Sequence, residues 1–164
     1  MRKLLAALAL ALGMSLAQSY YVGGHVGIFG AFTIFSSTDE RSFNGGIHVG
    51  AALGKDLPEV RLGVDFVRVL GVPITVISAD ALLPLSLPGS QVQLYVGAGG
   101  KVGLLSGDTY FGFNPTFGVR MVIPGAPLTG FMEVQPGYAF GNGNVLRAKQ
   151  AFFYYVKLGV NYGF

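Results

Sequence analysis

Beyond residue 18 the side chains alternate between apolar and polar with a period of two. From Tyr21 to Phe35 the even positions are Val22, Gly24, Val26, Ile28, Gly30, Phe32 and Ile34, while His25 and Thr33 fall among the odd ones. A helix would scatter these two sets around its circumference, whereas a strand sends them to opposite faces. The alternation recurs seven more times, over Phe43–Leu53, Glu59–Arg68, Ile74–Pro84, Val92–Val102, Phe111–Ile123, Leu128–Phe140 and Phe152–Phe164. The fourth of these eight segments is the least regular. Turn-forming residues separate the runs, among them Ser36 to Glu40, Gly54 to Asp56, Gly71 to Pro73, Pro88 to Ser90, Ser106 to Asp108, Pro124–Gly125 and Gly141 to Asn144. The spacing leaves no room for a crossover helix, so the pattern predicts an all-β chain of eight antiparallel strands in an up-and-down meander.

Charge decides which solvent each face meets. The apolar faces carry neither charge nor amide, while the opposite faces hold Glu59, Arg61, Asp65, Asp80, Lys101, Arg120, Glu133 and Lys157, a neutral set. A water-soluble barrel would point its apolar residues inward and its charges outward. Here the apolar face runs without interruption over every strand, so it is expected to meet lipid, with the polar face lining a lumen. Closure lets every backbone N–H and C=O pair between neighbours and leaves no open edge in hydrocarbon, and strands of roughly 9–11 residues suffice to cross. The expected fold is therefore an eight-stranded antiparallel transmembrane β-barrel.

Composition agrees. Only 12% of the 164 residues are charged and 51% are hydrophobic, against roughly 25% charged in an ordinary soluble domain. The chain has no cysteine, which excludes a disulfide framework and any thiolate chemistry. Glycines such as Gly23, Gly27, Gly46, Gly97, Gly118 and Gly159 fall on the polar face, where they make room for long side chains in a narrow interior. Gly24 and Gly30 fall on the lipid face.

The first residues read differently. Arg2 and Lys3 precede an apolar run from Leu4 to Leu12, and Ser15-Leu16-Ala17 supplies small residues suited to cleavage. The run is too short to span a bilayer, so residues 1–17 are expected to be a secretory signal peptide and residues 18–164 the barrel. Loss of Arg2 and Lys3 would take the net charge from +3 to +1. The basicity thus gives no support for a nucleic-acid partner.

The terminal strand, Phe152-Phe153-Tyr154-Tyr155-Val156-Lys157-Leu158-Gly159-Val160-Asn161-Tyr162-Gly163-Phe164, ends in phenylalanine after alternating aromatic and aliphatic residues. With the leader and eight alternating strands, it resembles the small bacterial outer-membrane barrels of the OmpA barrel domain and OmpX group, over essentially all of residues 18–164. The resemblance implies a protein of the cell outer membrane, inserted by the barrel assembly machinery through its C-terminal strand, with both termini periplasmic. It leaves residues 36–42, 69–73, 103–110 and 141–151 as short external connections. The expected partners are outer-membrane lipid and that machinery, with the barrel monomeric.

Candidate chemistry is sparse. A hairpin turn near Ser37 to Glu40 would put His48 opposite Phe29 and His25 opposite Ala52, roughly 13 Å apart along the strands, too far to share a metal. Ser78, His48 and Asp80 would form a hydrolytic group only if closure brought the second and fourth strands together. Arg120, Glu133 and Lys157 are expected to form a charge network, with Gly118 opposite Glu133 and Gln135 opposite Lys157. Tyr20, Tyr21, Phe140, Phe152, Tyr154 and Tyr162 are expected in aromatic girdles at the interfaces, and Arg68, Arg147 and Lys149 as solvated rim charges. No catalytic, cofactor-binding or metal-ligating residue is assigned, and no enzyme activity is expected. The reading is a structural, envelope-stabilising barrel with a lumen filled by side chains. The alternatives are a narrow porin-like passage for ions or small hydrophobic solutes, a lipid-modifying enzyme, and a soluble periplasmic lipid-binding barrel.

Overall fold

A computed structural model describes residues 19–33, 36–54, 57–69, 71–86, 89–105, 108–141 and 150–164. The expected signal peptide, its cleavage point after Ala17, and the rim residues Arg147 and Lys149 lie outside the described residues. Eight strands, β1 (Ser19–Thr33), β2 (Ser36–Ala52), β3 (Glu59–Val69), β4 (Val72–Ser86), β5 (Val92–Leu105), β6 (Asp108–Val122), β7 (Leu128–Gly141) and β8 (Gln150–Gly163), form one closed barrel. Each is antiparallel to its sequence neighbours, and β8 returns to pair with β1 from Tyr21↔Gly163 to Phe32↔Phe152. One end of the barrel carries the first residue of β1 and the last of β8. It is called the terminus end here, and the other the loop end.

Strands extend further toward the loop end than the alternation suggested. Ser36 to Glu40, read as a turn, belong to β2, with Thr33 opposite Ser36 and Ala31 opposite Glu40 across an irregularity between Ala31 and Thr33. Polar side chains do not end a strand where the neighbouring strand still offers backbone partners. The register expected from that turn is consequently corrected: His25 lies opposite Gly46 and His48 opposite Gly23. Between β6 and β7 the expected pairing of Gly118 with Glu133 is present. Between β7 and β8 the register differs by two residues, so that Glu133, not Gln135, faces Lys157. The β3–β4 connection is tight. Val69 pairs with Val72, and Gly71 takes a left-handed φ of 77° that favours glycine.

The alternation did fix which way each strand faces. Outward-pointing Val26, Ile47 and Leu158 are 66%, 64% and 62% exposed, and Val96 and Val134 also lie on the outer surface. Glu59, Arg61, Asp65, Asp80, Lys101, Glu133 and Lys157 are all buried inside. An apolar exterior this continuous far exceeds the few hundred Å² tolerated by soluble monomers, and it matches a hydrocarbon environment. Aromatic pairs frame it. At the loop end Phe32 stacks on Phe152 at 5.5 Å, Phe152 meets Tyr138 edge-on at 5.2 Å, and Phe111 lies 6.2 Å from Phe140. At the terminus end Tyr20 stacks on Phe164 at 6.3 Å, near exposed Tyr162. Phe152 to Tyr162 along one tilted strand spans roughly 25 Å of height, the thickness of an outer-membrane apolar band. Tyr21 is a correction to the girdle. It lies on the lumen face of β1, where its ring contacts His48 at 6.0 Å and lies beneath the Arg120 guanidinium at 5.8 Å.

Candidate functional site

The described strands enclose a lumen, and its side chains are where polar and charged groups gather. They divide along the barrel axis. The half nearer the terminus end is ionic, and β3 supplies its centre. Arg61 reaches across to β7, four strands away around the eight-stranded ring. Its Nη1 donates to Glu133 Oε2 at 2.8 Å and its Nη2 to Oε1 at 3.1 Å. The same guanidinium donates from Nε and Nη2 to Asp80 Oδ2 at 3.2 and 3.0 Å. Glu133 also accepts from the Tyr95 hydroxyl at 2.9 Å and from Gln135 Nε2 at 3.0 Å. Four donors thus surround one buried carboxylate, in a bidentate geometry that favours guanidinium over ammonium.

A second clamp closes the layer beneath. Arg120 on β6 donates from Nη1 and Nη2 to the two Glu59 oxygens on β3 at 2.6 and 2.9 Å, and its guanidinium lies 5.0 Å from the centre of the Tyr95 ring. Asp65, also on β3, receives Lys157 Nζ at 2.8 Å and His25 Nε2 at 2.7 Å on Oδ1. The three charged residues that β3 turns inward therefore each hold a partner at least two strands away. The expected Arg120–Glu133–Lys157 network is corrected accordingly: each of the three carries a salt bridge, but to Glu59, Arg61 and Asp65 respectively. Adjacent-strand diagonals were the wrong guide because a closed, narrow ring brings opposite walls within reach of long side chains.

The register change also brings the histidines together. Their rings stack at 5.7 Å, not the roughly 13 Å expected from strand spacing. His48 Nε2 lies 2.7 Å from Asn161 Oδ1, and His25 is held by Asp65. The Ser78, His48 and Asp80 arrangement is not assembled, since His48 is engaged with Asn161 and Asp80 with Arg61. Among the described residues no group of three or more His, Cys, Asp or Glu side chains is arranged to hold a metal ion. Glycines accommodate this crowding: a Cβ on Gly118 would run into the Tyr95 ring.

The half nearer the loop end is apolar, a feature the alternation did not reveal. Phe29, Val67, Val69, Ile74, Val76, Leu105, Phe153 and Tyr155 form a buried cluster inside the barrel. A cavity of about 100 Å³ lies against it, with Lys101 among its lining. The sequence carried a faint signal: the loop-end parts of β3 and β4, where alternation lapses, have apolar residues on both faces. The lumen is thus filled with side chains in its ionic half and incompletely filled in its apolar half.

Neither a protein-family model nor a curated protein matches the chain. Solved structures do. Neisserial surface protein A superposes with a TM-score of 0.69 at 16% identity, over 87% of this chain and 96% of that one. The N-terminal β-barrel domain of OprF from Pseudomonas aeruginosa gives 0.57 at 16%, over 87% and 97%. Ail, the attachment invasion locus protein of Yersinia pestis, gives 0.55 at 12%, over 89% and 98%. The fold is that of a small bacterial outer-membrane β-barrel. At these identities the likeness concerns architecture, and what the lumen does has to be argued from this chain's own residues.

Proposed function

We propose that the protein is an integral barrel of the outer membrane whose role is structural, stabilising the envelope without conducting. The observation that carries this reading is the Arg61 clamp, which ties β3 to β7 across the barrel and to β4 at its side. An ion crossing the lumen would have to separate Arg61 from Glu133, both of them buried. Breaking a buried pair costs about 3–5 kcal/mol, and the Arg120–Glu59 pair adds a second barrier. The exposed apolar belt between aromatic girdles supports lipid as the permanent partner. The terminal strand from Phe152 to Phe164 supports insertion by the barrel assembly machinery, and residues 1–17 serve as the removable export signal. The barrel acts as a monomer.

Planar-bilayer recording on the refolded protein tests the reading. The unaltered barrel should give no steady conductance, and the double variant Arg61→Ala/Glu133→Ala should give openings. Steady ohmic current through the unaltered barrel would reject a structural plug in favour of a passive pore. A second reading, a site for a small hydrophobic solute, is favoured by one observation, the cavity in the apolar half.

A further inference from the structure

The apolar cavity has one feature that hydrophobic packing does not explain. Lys101 lines it, is 5% exposed, and its Nζ has no hydrogen-bond acceptor among the described residues. An ammonium carries three donors and is costly to bury without acceptors. Nζ lies 4.9 Å from the centre of the Tyr155 ring, and the charges of Asp80 and Asp65 act on it without a hydrogen bond. The neighbouring cation, Lys157, lies at the same distance from that ring but has Asp65 as its carboxylate. Asp80, two residues from the Lys101 position across the β4–β5 ladder, gives its Oδ2 to Arg61. Among the described residues Lys101 therefore has no carboxylate hydrogen-bonded to it, unlike Arg61, Arg120 and Lys157, and it stands where the ionic half meets the apolar half.

We propose that this cavity is a binding site for a small carboxylate with an apolar tail, its carboxylate accepting from Lys101 Nζ and its tail lying against Phe29, Val69, Ile74, Val76 and Phe153. At about 100 Å³ the cavity is smaller than the roughly 150 Å³ apolar cavity that admits benzene, so it encloses about four carbons, and the end of a longer tail leaves through its open side. The anion restores an acceptor to a buried donor, and the tail removes empty apolar volume. A protonated amine of the same length brings no acceptor, and an alcohol brings a neutral acceptor without the charge that strengthens the bond. The ligand class covers free short-chain acids arriving from outside and fatty acids drawn from the bilayer. The inference stands apart from the structural role, since binding here does not require that ions pass the Arg61 clamp.

The test is methyl NMR of the labelled, refolded barrel in nanodiscs, titrated with hexanoate, hexanol or hexylamine. Hexanoate should shift the Val69, Ile74 and Val76 methyls saturably, at least tenfold tighter than hexanol, the scale of a charge-assisted hydrogen bond in a dry site. Lys101→Met should weaken hexanoate tenfold or more. Gly103→Leu should abolish binding while keeping the ammonium. A Cβ at that position makes only ordinary contacts of 3.6 Å with Ile74 and Tyr110, so the added side chain fills the cavity. Unchanged Val96 and Leu158 resonances report that each variant is folded, and if Lys101→Met does not fold, Gly103→Leu and the hexanol comparison decide. A parallel arm places palmitate in the nanodisc bilayer. Shifts from palmitate identify the membrane as the source, and shifts from hexanoate alone identify the exterior. Equal shifts by hexanoate and hexanol, shifts that persist in Lys101→Met, or no saturable shift with either acid would overturn the proposal.

Discussion

The two halves of this lumen solve the same problem in different ways. Both must fill a ring of eight strands whose outer face is committed to hydrocarbon. The ionic half does so with long side chains that span the ring, and each charge is matched by name: Arg61 to Glu133 and Asp80, Arg120 to Glu59, Lys157 to Asp65. The apolar half uses aliphatic and aromatic groups that pack against one another without fixed pairing, and it leaves a cavity. Directional contacts therefore tie named residues on opposite walls to each other, whereas non-directional ones pack without fixed partners. That difference predicts where damage is severe and where it is mild.

The largest effect is expected at the clamp. Glu133→Ala leaves Arg61 facing Asp80 alone and removes the acceptor of Tyr95, and should lower unfolding stability by about 3–5 kcal/mol in a denaturant titration of the refolded barrel. Next is a charge on the opposite face: Leu158→Arg, between the two girdles, should cost about 2–4 kcal/mol in lipid. In the apolar half Leu105→Ala should cost about 2 kcal/mol, the low end for truncation of a buried leucine. The smallest change is Leu158→Ala, expected at about 1.5 kcal/mol, since the lost transfer from water to lipid is not increased by a cavity. A Leu105→Ala loss as large as that of Glu133→Ala would erase the distinction between the halves.

What could be read from the sequence follows the same division. Strand number, order and, outside the loop-end parts of β3 and β4, the inward or outward sense of the residues were legible, because a period of two assigns faces without knowledge of any partner. Register was legible only where a turn was compact. The proline-containing turn at Pro124 to Pro127 placed Gly118 opposite Glu133 as found. The polar run from Ser36 to Glu40 misled because those residues continue the strand, and the error carried His25 and His48 apart when they stack. The partners of Glu133 and Arg120 were not legible at all. They depend on which walls closure sets face to face, and that is a property of the whole ring. The apolar half escaped notice for a simpler reason. Once both faces of β3 and β4 turn apolar, alternation no longer says which residues look inward.

The facing of the strands is the claim on which the rest stands, and contacts between lipid acyl chains and protein methyl groups measure it directly. In a nuclear Overhauser experiment on the refolded barrel, Val96, Val134 and Leu158 should show strong transfer from acyl protons. Val67, Val76, Leu82 and Leu105, equally apolar but buried inside, should show none. Acyl transfer to the second group and its absence from the first would contradict the account.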